Sequence, residues 1–524
     1  MLHVRVLWHA GPLWRDEISS LRIATMPTLS GSWAALVYDP VPALFFFILH
    51  IWNSVFAGGD SENLRYLGFL IGLATVTSIW WASRLLKGSP PTWAMLLFGL
   101  SPVALVWGDS LRAYGIGCLF NILALAFLWK ILCERPRRAD IVWTSAAALL
   151  SVHSLFPNSL LLFAALTGAV VVTVRHRWWQ TTRIILGIGA FAAFSLLPYA
   201  SIIRQTQDWS GICQSPITWS WIGTMLFRAT ASGGNLAAIL WLSSAIIVCL
   251  ALVRALARPR FFPLKEEQTN LVLFSGITLL IAIALTISFF RWVGWATSLW
   301  YYLPLMATAI FCFEAIATLW RGSATARIAQ SCLVVLAAVA LMPKAFEATG
   351  VRLTNVDLTA QEIARRAGPE DLVVVDYYFH AISFQHYYQG KAPWVAVPNV
   401  ADVSMHRWDL LAATMDRTKP VDSVLRRIDR TLQTGHDVYV VGLVPTNKEL
   451  VAPLDLPPTS ENSFGRNLWP YVRRWSSQVA FTAQTHSTRV AVIPVPSQQP
   501  ISTAETVRAM VVSGWKDTAS TALR

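Results

Sequence analysis

The sequence predicts a polytopic α-helical membrane protein that ends in a small α/β domain. Two observations support this class. Of the 524 residues, 55% are hydrophobic and only 14% are charged, whereas about a quarter of the residues of a soluble protein are charged. The long apolar runs stop near Val351, and charged residues become frequent after that point. We therefore predict a membrane domain over residues 1–346 and a water-facing domain over residues 347–524.

Ten segments are long and apolar enough to cross a bilayer, because about 20 helical residues span a hydrocarbon core of ~30 Å. They cover residues 64–84, 91–107, 113–132, 141–156, 158–174, 183–203, 235–256, 269–290, 298–320 and 328–346. An eleventh apolar run, residues 42–57, lies within an outer loop over residues 10–63. We predict that this run forms a helix on the outer membrane surface. The expected total is ten transmembrane helices, or eleven if this run also spans.

The unequal distribution of Lys and Arg between alternate connections predicts the orientation. One set of connections contains fifteen of them: Arg84, Lys87, Lys130, Arg135, Arg137, Arg138, Arg175, Arg177, Arg183, Arg254, Arg258, Arg260, Lys265, Arg321 and Arg327. The other set contains five: Arg65, Arg112, Arg204, Arg228 and Arg291. Because cytoplasmic loops carry the excess of Lys and Arg, the first set is predicted to be cytoplasmic. The N-terminus and the C-terminal domain are then outside.

The N-terminus, the net charge, the absence of common motifs and the cysteine positions further limit the classes of protein that this sequence can belong to. Residues 1–13 are too short and too mixed to span a membrane or to act as a signal peptide. Either the chain starts outside or a first transmembrane helix lies upstream, and we expect the second. The net charge of +13 does not indicate nucleic-acid binding, because the loop position of the cations explains it. No CxxC, HExxH, Walker or GxGxxG pattern occurs, which disfavours metalloprotease, ATPase and dinucleotide-binding functions. No cysteine follows residue 332, so disulfides do not hold the C-terminal domain.

The C-terminal domain combines helix and strand patterns. Helices are predicted over residues 359–366, 379–389 and 420–434, and strands over residues 371–376, 437–443 and 489–495. The segment Asp376-Tyr377-Tyr378 follows one of these strands. It is either a ligand-binding segment, as strand ends in α/β sheets often are, or a structural turn.

Several polar and aromatic residues fall on the predicted outer face, where charges close to lipid are costly. They are Asp16, Glu17, Asp39, Asp109, Arg112, Tyr114, His153, Arg291, Tyr301 and Tyr302. Each also has a structural explanation: solvated charge at a helix start, a turn, a helix cap, a buried hydrogen-bonded histidine or an interfacial aromatic anchor. Their concentration on one face of the membrane favours a functional site.

The order of these residues resembles that of GT-C glycosyltransferases with polyprenyl-phosphate donors, such as protein O-mannosyltransferases and lipid A aminoarabinose transferases. The matching segments are Asp16-Glu17, Asp39-Pro40-Val41-Pro42-Ala43-Leu44-Phe45, Arg112-Ala113-Tyr114, His153-Ser154-Leu155-Phe156 and Tyr301-Tyr302-Leu303-Pro304. The resemblance covers about residues 10–346. The family has His at the position of Val41 and Pro at the position of Ala43, so no role of that His carries over. The Arg that precedes the later Tyr in the family is also missing, and Arg291 is the nearest outer cation.

The resemblance implies an inverting transfer of a sugar from polyprenyl phosphate to a hydroxyl group on the outer face. Asp16 would accept the proton of the acceptor hydroxyl, and Glu17 would orient the acceptor. Arg112 and Arg291 would stabilise the polyprenyl phosphate leaving group, because the planar guanidinium binds two phosphate oxygens. The remaining residues implied to bind substrates are Asp39, Tyr114, His153, Tyr301 and Tyr302.

The implied partners are a polyprenyl-phosphate-linked hexosyl or pentosyl donor, a lipid, glycan or protein acceptor, and the bilayer. No cofactor is expected, with a divalent metal ion at Asp16 as the open alternative. The predicted location is the inner (plasma) membrane of a bacterium, with the C-terminal domain extracytoplasmic and shaping access of the acceptor. A multispan transporter and an inactive GT-C-like protein that binds lipid-linked sugars are the alternative functions. We find no internal repeat of the kind that marks many transporters.

The predicted orientation leads to a direct test. A reporter fused after Arg524 is expected to be outside, because the domain after residue 346 follows an outer loop. Alkaline phosphatase fused there should be active in a bacterial host, and green fluorescent protein should be dark. The opposite pair of signals would place the C-terminal domain in the cytoplasm.

Overall fold

The structure, a computed structural model, describes residues 1–86, 90–133, 136–215, 217–257, 264–319, 324–442, 456–459 and 466–516. Five cations used for the orientation, Lys87, Arg135, Arg258, Arg260 and Arg321, lie outside these residues. The chain divides into two compact units. The helical unit contains Met1–His9, Val41–Ser201 and Pro216–Gly350, and the sheet unit contains Ala10–Pro40, Ile202–Ser215 and Val351–Arg524.

Eight helices in the described part of the chain are long and apolar enough to cross a membrane. They are Ser61–Leu85, Ala113–Cys133, Pro157–Arg175, Trp179–Cys213, Asn235–Ala257, Glu266–Val293, Leu299–Leu319 and Ala324–Ala348. Each coincides with one of the ten predicted spans. The polytopic α-helical class is therefore confirmed.

The other two predicted spans differ from the structure. Residues 91–107 form two short helices, Thr92–Leu97 and Pro102–Gly108. Pro102 begins the second of them, and Ser101 is its N-cap, since the hydroxyl accepts the N–H of Ala104 at 3.4 Å. The prediction over residues 141–156 corresponds to Arg138–Ser154, a helix of 17 residues. At a rise of ~1.5 Å per residue this helix is about 26 Å long.

The run predicted to lie on the membrane surface is helical. Leu44–Trp52 is an α-helix, and Asn53–Ala57 continues it with π-type hydrogen bonds. Phe45, Phe46 and Leu49 are buried, whereas apolar side chains on the other face, such as Phe47 and Ile51, are exposed. Its position on the membrane surface stays a prediction.

The helical unit encloses a buried carboxylate at the break between the two short helices. Glu314 lies in the helix Leu303–Leu319, and its Oε2 accepts the N–H groups of Trp93 and Ala94 at 3.0 and 2.9 Å. These N–H groups belong to the first turn of Thr92–Leu97, where no intrahelical partner exists. The negative charge also faces the positive end of the helix dipole. Glu314 therefore stabilises the start of a helix that the sequence predicts as part of one longer span.

The shorter helices complete the described elements. In the helical unit they are Leu2–His9, Trp219–Thr230 and the 3₁₀ turns Ala231–Gly233 and Leu299–Tyr302. The span Trp179–Cys213 consists of Trp179–Ser195, Leu197–Tyr199, Ala200–Ser210 and Gly211–Cys213. The sheet unit contains Arg15–Ala24, Leu29–Ala35, Val356–Arg366, Tyr378–Tyr387, Trp408–Met415, Asp422–Gln433 and Leu468–Thr485.

The sheet unit is built on seven described strands: β1 (Arg352–Thr354), β2 (Leu372–Asp376), β3 (Trp394–Val397), β4 (Val438–Gly442), β5 (Ser487–Ile493), β6 (Ile501–Glu505) and β7 (Arg508–Trp515). Five of them form a sheet in the order β3-β2-β4-β7-β5, and β1 pairs with β6. β2 is parallel to both β3 and β4, whereas β7 is antiparallel to β4 and β5. Every residue of β2 and β4 is buried, as expected for central strands.

The predicted small α/β domain is confirmed. Its three predicted helices correspond to Val356–Arg366, Tyr378–Tyr387 and Asp422–Gln433, and its three predicted strands to β2, β4 and β5. Leu443, the last residue of one predicted strand, lies outside the described residues. The sequence analysis did not predict β1, β3, β6, β7 or the helices Trp408–Met415 and Leu468–Thr485, whose apolar patterns are short or interrupted.

The sheet unit also includes a segment near the N-terminus. Leu353 N–H donates to the Ala10 carbonyl at 2.9 Å, and the Tyr387 hydroxyl donates to the Leu13 carbonyl at 2.7 Å. The Trp408 indole N–H donates to the Tyr38 carbonyl at 3.1 Å. Residues 10–40, which the sequence analysis assigned to the membrane domain, therefore pack within the sheet unit.

The buried Asp376 predicts that stability depends on pH. Its side chain is fully buried, one oxygen accepts the Ser476 hydroxyl at 2.7 Å, and Oδ2 has no partner among the described residues. Burial raises the pKa of Asp376 from 3.8 to about 7. The folded protein therefore holds this proton more tightly than the unfolded chain, and the resulting stability is lost as the pH rises through 7.

We expect the melting temperature of the full chain in detergent to fall between pH 5 and pH 8. Asp376→Asn should make this fall smaller, because the amide does not ionise. Burial raises the pKa of Glu505 to about 7 as well, so part of the dependence should remain. Glu370→Gln, at an exposed position, is the matched control. An unchanged pH dependence in Asp376→Asn would contradict the assignment.

Candidate active site

The acidic pair predicted from the sequence lies at the start of the helix Arg15–Ala24 in the sheet unit. The Glu17 carboxylate accepts the N–H of Trp14 at 3.2 Å, which is the reciprocal half of a capping box. Glu17 is fully buried. Its contact with the backbone stabilises the start of the helix, and its predicted role in orienting the acceptor stays a prediction.

Asp16 is partly open to solvent, with 19% of its side chain exposed. Its Oδ1 lies 3.2 Å from His406 Nε2 and 3.4 Å from Arg15 Nε. Both nitrogens donate hydrogen bonds to the carboxylate, which favours its ionised form. Two side chains therefore hold the Asp16 carboxylate in one orientation.

The position of His406 is fixed by aromatic stacking. Its ring stacks on Trp408 with centroids 5.4 Å apart and an interplanar angle of 18°. Trp408 stacks in turn on Trp209 at 5.6 Å and 12°. The buried Nδ1 of His406 has no hydrogen-bond partner among the described residues. We assign the proton that faces Asp16 to Nε2 on this basis, since it gives Asp16 its donor.

Asp39 belongs to the same unit and is buried. The Ser20 hydroxyl donates to Asp39 Oδ2 at 3.5 Å, which connects the Asp39 turn to the helix that carries Asp16. The preceding Tyr38 lies under the guanidinium of Arg407, with the guanidinium carbon 4.8 Å from the ring centroid. Arg407 is itself paired with Asp402 and Asp409 at 2.8 and 2.7 Å. The Asp39 turn is therefore held at its start by an aromatic and charged cluster.

Five of the other predicted residues lie in the helical unit around an aromatic cluster. The Tyr114 and Tyr301 rings are 6.0 Å apart, and Trp107 and Trp300 are 4.2 Å apart. Arg112 is buried in the loop before Tyr114. Tyr302 is fully buried, and its hydroxyl lies 3.1 Å from the hydroxyl of Thr297. Arg291 is exposed and follows Phe290, whose ring packs 6.4 Å from Tyr301 and 5.2 Å from Tyr302.

A hydrogen bond between two side chains holds the loop that contains Arg112. His3 Nδ1 lies 2.7 Å from Asp109 Oδ2, and the Asp109 side chain is almost completely buried. The loop fits closely against the helix Ser61–Leu85, because a Cβ at Gly72 would lie 2.0 Å from Asp109 Oδ1. Burial raises the pKa of Asp109 to about 6, against the opposing effect of His3. Asp109 therefore anchors the loop through a side-chain pair in addition to its position at the end of a helix.

His153 belongs to a directed chain of hydrogen bonds in the helical unit. The Ala43 N–H donates to the Tyr199 hydroxyl oxygen at 3.1 Å, and this hydroxyl donates to His153 Nδ1 at 3.2 Å. His153 Nε2 lies 3.0 Å from Ser195 Oγ, whose own hydrogen goes to the Ala192 carbonyl. In this arrangement His153 orients the start of the helix Leu44–Trp52. Its predicted contact with substrate stays a prediction.

The sequence analysis missed His406, Trp408, Glu505, His3 and Tyr199. His406 lies 390 positions from Asp16 in the chain, and no spacing rule connects residues so far apart. The compact segment His406-Arg407-Trp408-Asp409 is unusual in combining an imidazole, a guanidinium, an indole ring and a carboxylate. That composition is the one signal that could have drawn attention to it.

The side chains that contact Asp16 include a cation, which is unfavourable for a divalent metal ion at that carboxylate. His406 supplies an imidazole, and the Arg15 guanidinium also contacts Asp16. No group of three or more His, Cys, Asp and Glu side chains that could hold a metal occurs among the described residues. A second cation beside Arg15 would lack the oxygen ligands that Mg²⁺ or Ca²⁺ requires.

Comparison with known proteins identifies the fold. No protein-family model and no curated protein matches the sequence. The structure is similar to ArnT from Cupriavidus metallidurans bound to undecaprenyl phosphate, with a TM-score of 0.50 and 15% identity, over 84% of this chain and 90% of that chain. The chain therefore shares its fold, the GT-C fold, with this ArnT structure.

Two further structures match with lower TM-scores. One is an oligosaccharyltransferase from Archaeoglobus fulgidus in complex with Zn and sulfate, with a TM-score of 0.45 and 10% identity, over 84% of this chain and 67% of that chain. The other is the oligosaccharyltransferase AglB from Archaeoglobus fulgidus in complex with an inhibitory peptide and a dolichol-phosphate, with a TM-score of 0.42 and 12% identity, over 84% of this chain and 68% of that chain.

Proposed function

We propose that this protein is a membrane glycosyltransferase that moves a sugar from a polyprenyl-phosphate donor to a hydroxyl acceptor. The observation that carries the proposal is the GT-C fold combined with a partly exposed Asp16 that His406 and Arg15 hold in place. The similar ArnT structure contains undecaprenyl phosphate, which supports a donor of this chemical class.

In the proposed reaction, a carboxylate oxygen of Asp16 takes the proton of the acceptor hydroxyl as its oxygen bonds to the anomeric carbon. The bond from that carbon to the phosphate oxygen breaks, and polyprenyl phosphate leaves with the electron pair. The attack occurs opposite the leaving group, so the configuration at the anomeric carbon inverts. A positioned base of this kind contributes ~10²–10⁴-fold to the rate.

His406 and Arg15 determine how well Asp16 serves as a base. The N–H of His406 holds one oxygen at a fixed angle, so the geometry of proton transfer is set before the acceptor arrives. The same donor stabilises the ionised form of the carboxylate.

The roles proposed for the helical unit rest on chemistry and on the resemblance. Arg112 and Arg291 are proposed to bind phosphate oxygens of the leaving group, where negative charge develops during the reaction. Tyr114 and Tyr301 are proposed to contact the donor. Tyr302 is fully buried, so we propose that it supports Tyr301.

The finer features are proposals of the same kind. The donor is a hexosyl or pentosyl polyprenyl phosphate, and the acceptor is a lipid, glycan or protein. The protein resides in the inner membrane of a bacterium, with the sheet unit outside. Asp39 and Glu17 are proposed to shape the acceptor side of Asp16.

The central test is the substitution Asp16→Asn. We expect it to abolish release of free polyprenyl phosphate from a panel of labelled polyprenyl-phosphate sugars incubated with membranes and native lipid extract. The reason is that the amide keeps the size of the side chain but cannot accept the proton. Expression and binding of the labelled donor should be unchanged. Asp208→Asn, at an exposed position of the same unit, is the matched control and should retain activity.

Turnover like that of the wild type in Asp16→Asn would overturn the assignment of the base. If the wild type binds a donor but never releases polyprenyl phosphate, the chain is a non-transferring binder of lipid-linked sugars. Flux of the sugar across sealed vesicles without release would instead identify a transporter.

We also propose that transfer is independent of metal ions, because the Arg15 guanidinium that contacts Asp16 is unfavourable for a divalent cation there. Treatment of purified protein with EDTA, followed by removal of the chelator, should leave the rate of polyprenyl phosphate release within about twofold of the untreated enzyme, since no step of the proposed proton transfer uses a metal. Loss of activity that Mg²⁺ or Mn²⁺ restores would show that a metal takes part.

A further inference from the structure

Glu505 is a buried carboxylate that the proposed reaction does not use. It is the last residue of β6 in the sheet unit, and only 1% of its surface is exposed. Transfer of a carboxylate out of water is costly unless donors and a counter-charge replace the lost hydration. Its surroundings are therefore informative about what it stabilises.

The contacts of Glu505 converge on the residue next to Asp16. Its Oε2 accepts the backbone N–H of Arg15 at 3.2 Å, and its Oε1 accepts the Ser383 hydroxyl at 2.9 Å. Ser383 lies on the helix Tyr378–Tyr387. From the same helix, the Tyr387 hydroxyl donates to the Leu13 carbonyl at 2.7 Å. A strand end and a helix thus hold the chain on both sides of Trp14.

The bond to Arg15 acts at the first turn of the helix that carries Asp16. Arg15 is the first residue of this helix, and its N–H has no acceptor within the helix. A carboxylate at that position supplies the acceptor and also interacts favourably with the helix dipole. The Arg15 N–H belongs to the peptide unit between Trp14 and Arg15, one residue before Asp16, so fixing it restricts the start of the helix from which the Asp16 side chain extends.

We propose that Glu505 is a positioning residue for Asp16, acting through the backbone N–H of Arg15. This inference rests on the proposed function, because positioning matters for catalysis only if Asp16 is the base. His406 fixes the end of the Asp16 side chain, and Glu505 fixes the backbone from which that side chain extends. Loss of the second support lets the base leave its aligned position, which slows proton transfer more than it weakens substrate binding.

The test compares Glu505→Ala with Glu505→Gln in the full chain in detergent or nanodiscs. Two quantities are measured: the deuterium uptake of a peptide that contains residues 14–20, and the kcat and KM for polyprenyl phosphate release. Glu505→Ala should raise the uptake and lower kcat by about tenfold or more, with KM within about twofold of the wild type. Glu505→Gln should restore low uptake and most of kcat, because its amide oxygen accepts the Arg15 N–H and its amide N–H₂ donates to Ser383.

A control variant separates positioning from general loss of stability. Val440 is fully buried in β4, and Val440→Ala removes buried methyl groups without touching Glu505 or Arg15. At the same loss of melting temperature, Val440→Ala should retain kcat and low uptake in residues 14–20. An equal fall of kcat in this variant would overturn the positioning role.

Wild-type uptake and wild-type kcat in Glu505→Ala would also overturn the inference. The deuterium measurement separates it from the proposed function. If the wild type transfers no sugar while Glu505→Ala still raises the uptake of residues 14–20, the bond from the Arg15 N–H to Glu505 is shown to hold the helix start, and the proposed function fails. If transfer occurs but neither uptake nor kcat responds to Glu505→Ala, the proposed function stands and the positioning role of Glu505 is rejected.

Discussion

A carboxylate that leaves water must be given hydrogen-bond donors, and this requirement organises much of the structure. Glu17 accepts a backbone N–H at the start of its own helix, Glu314 accepts two at the start of a short helix, and Glu505 accepts one from Arg15. Asp109 pairs with His3. In each case the carboxylate fixes a helix start or a loop, because those are the places where donors lack partners within regular secondary structure.

The same rule explains why Asp16 stands apart. Its carboxylate receives donors from His406 and Arg15, yet part of the side chain still reaches solvent. Complete burial among donors would make it a structural anchor such as Glu17, and full exposure would leave it without a defined orientation. Partial exposure combined with fixed donors is the condition that a general base needs, since it must both meet a substrate and keep its alignment. The site therefore depends on the elements that support Asp16 as much as on Asp16.

The composition and periodicity of the chain were sufficient to predict most of the secondary-structure elements and the division into a membrane domain and an α/β domain. Eight spans, the α/β domain and strands such as β2 and β4 could be predicted because burial selects long apolar runs whatever their partners are. The predictions that were wrong concern elements whose bounds depend on polar contacts with distant residues. The break between Thr92–Leu97 and Pro102–Gly108 is stabilised by Glu314, more than 200 positions away in the sequence. The apolar run 91–107, which begins at Pro91 and contains Pro102, was therefore predicted as a single span. β6 and β7 were missed for a related reason. Their hydrogen bonds to β1 and β4 stabilise them as strands, whereas their own sequences show no clear alternation of apolar and polar residues.

The sequence by itself determined the class of the protein, a polytopic membrane chain with a terminal α/β domain, and it singled out Asp16, Asp39, Arg112 and the tyrosines as unusual. Hydrophobic burial is additive along the chain, so local patterns report it. Only the tertiary structure decided which groups surround those residues: His406 and Glu505 approach the Asp16 helix from positions 406 and 505, and His3 reaches Asp109. Hydrogen bonds and ion pairs act over a few ångströms and with a defined direction, so their partners depend on how distant segments fold together.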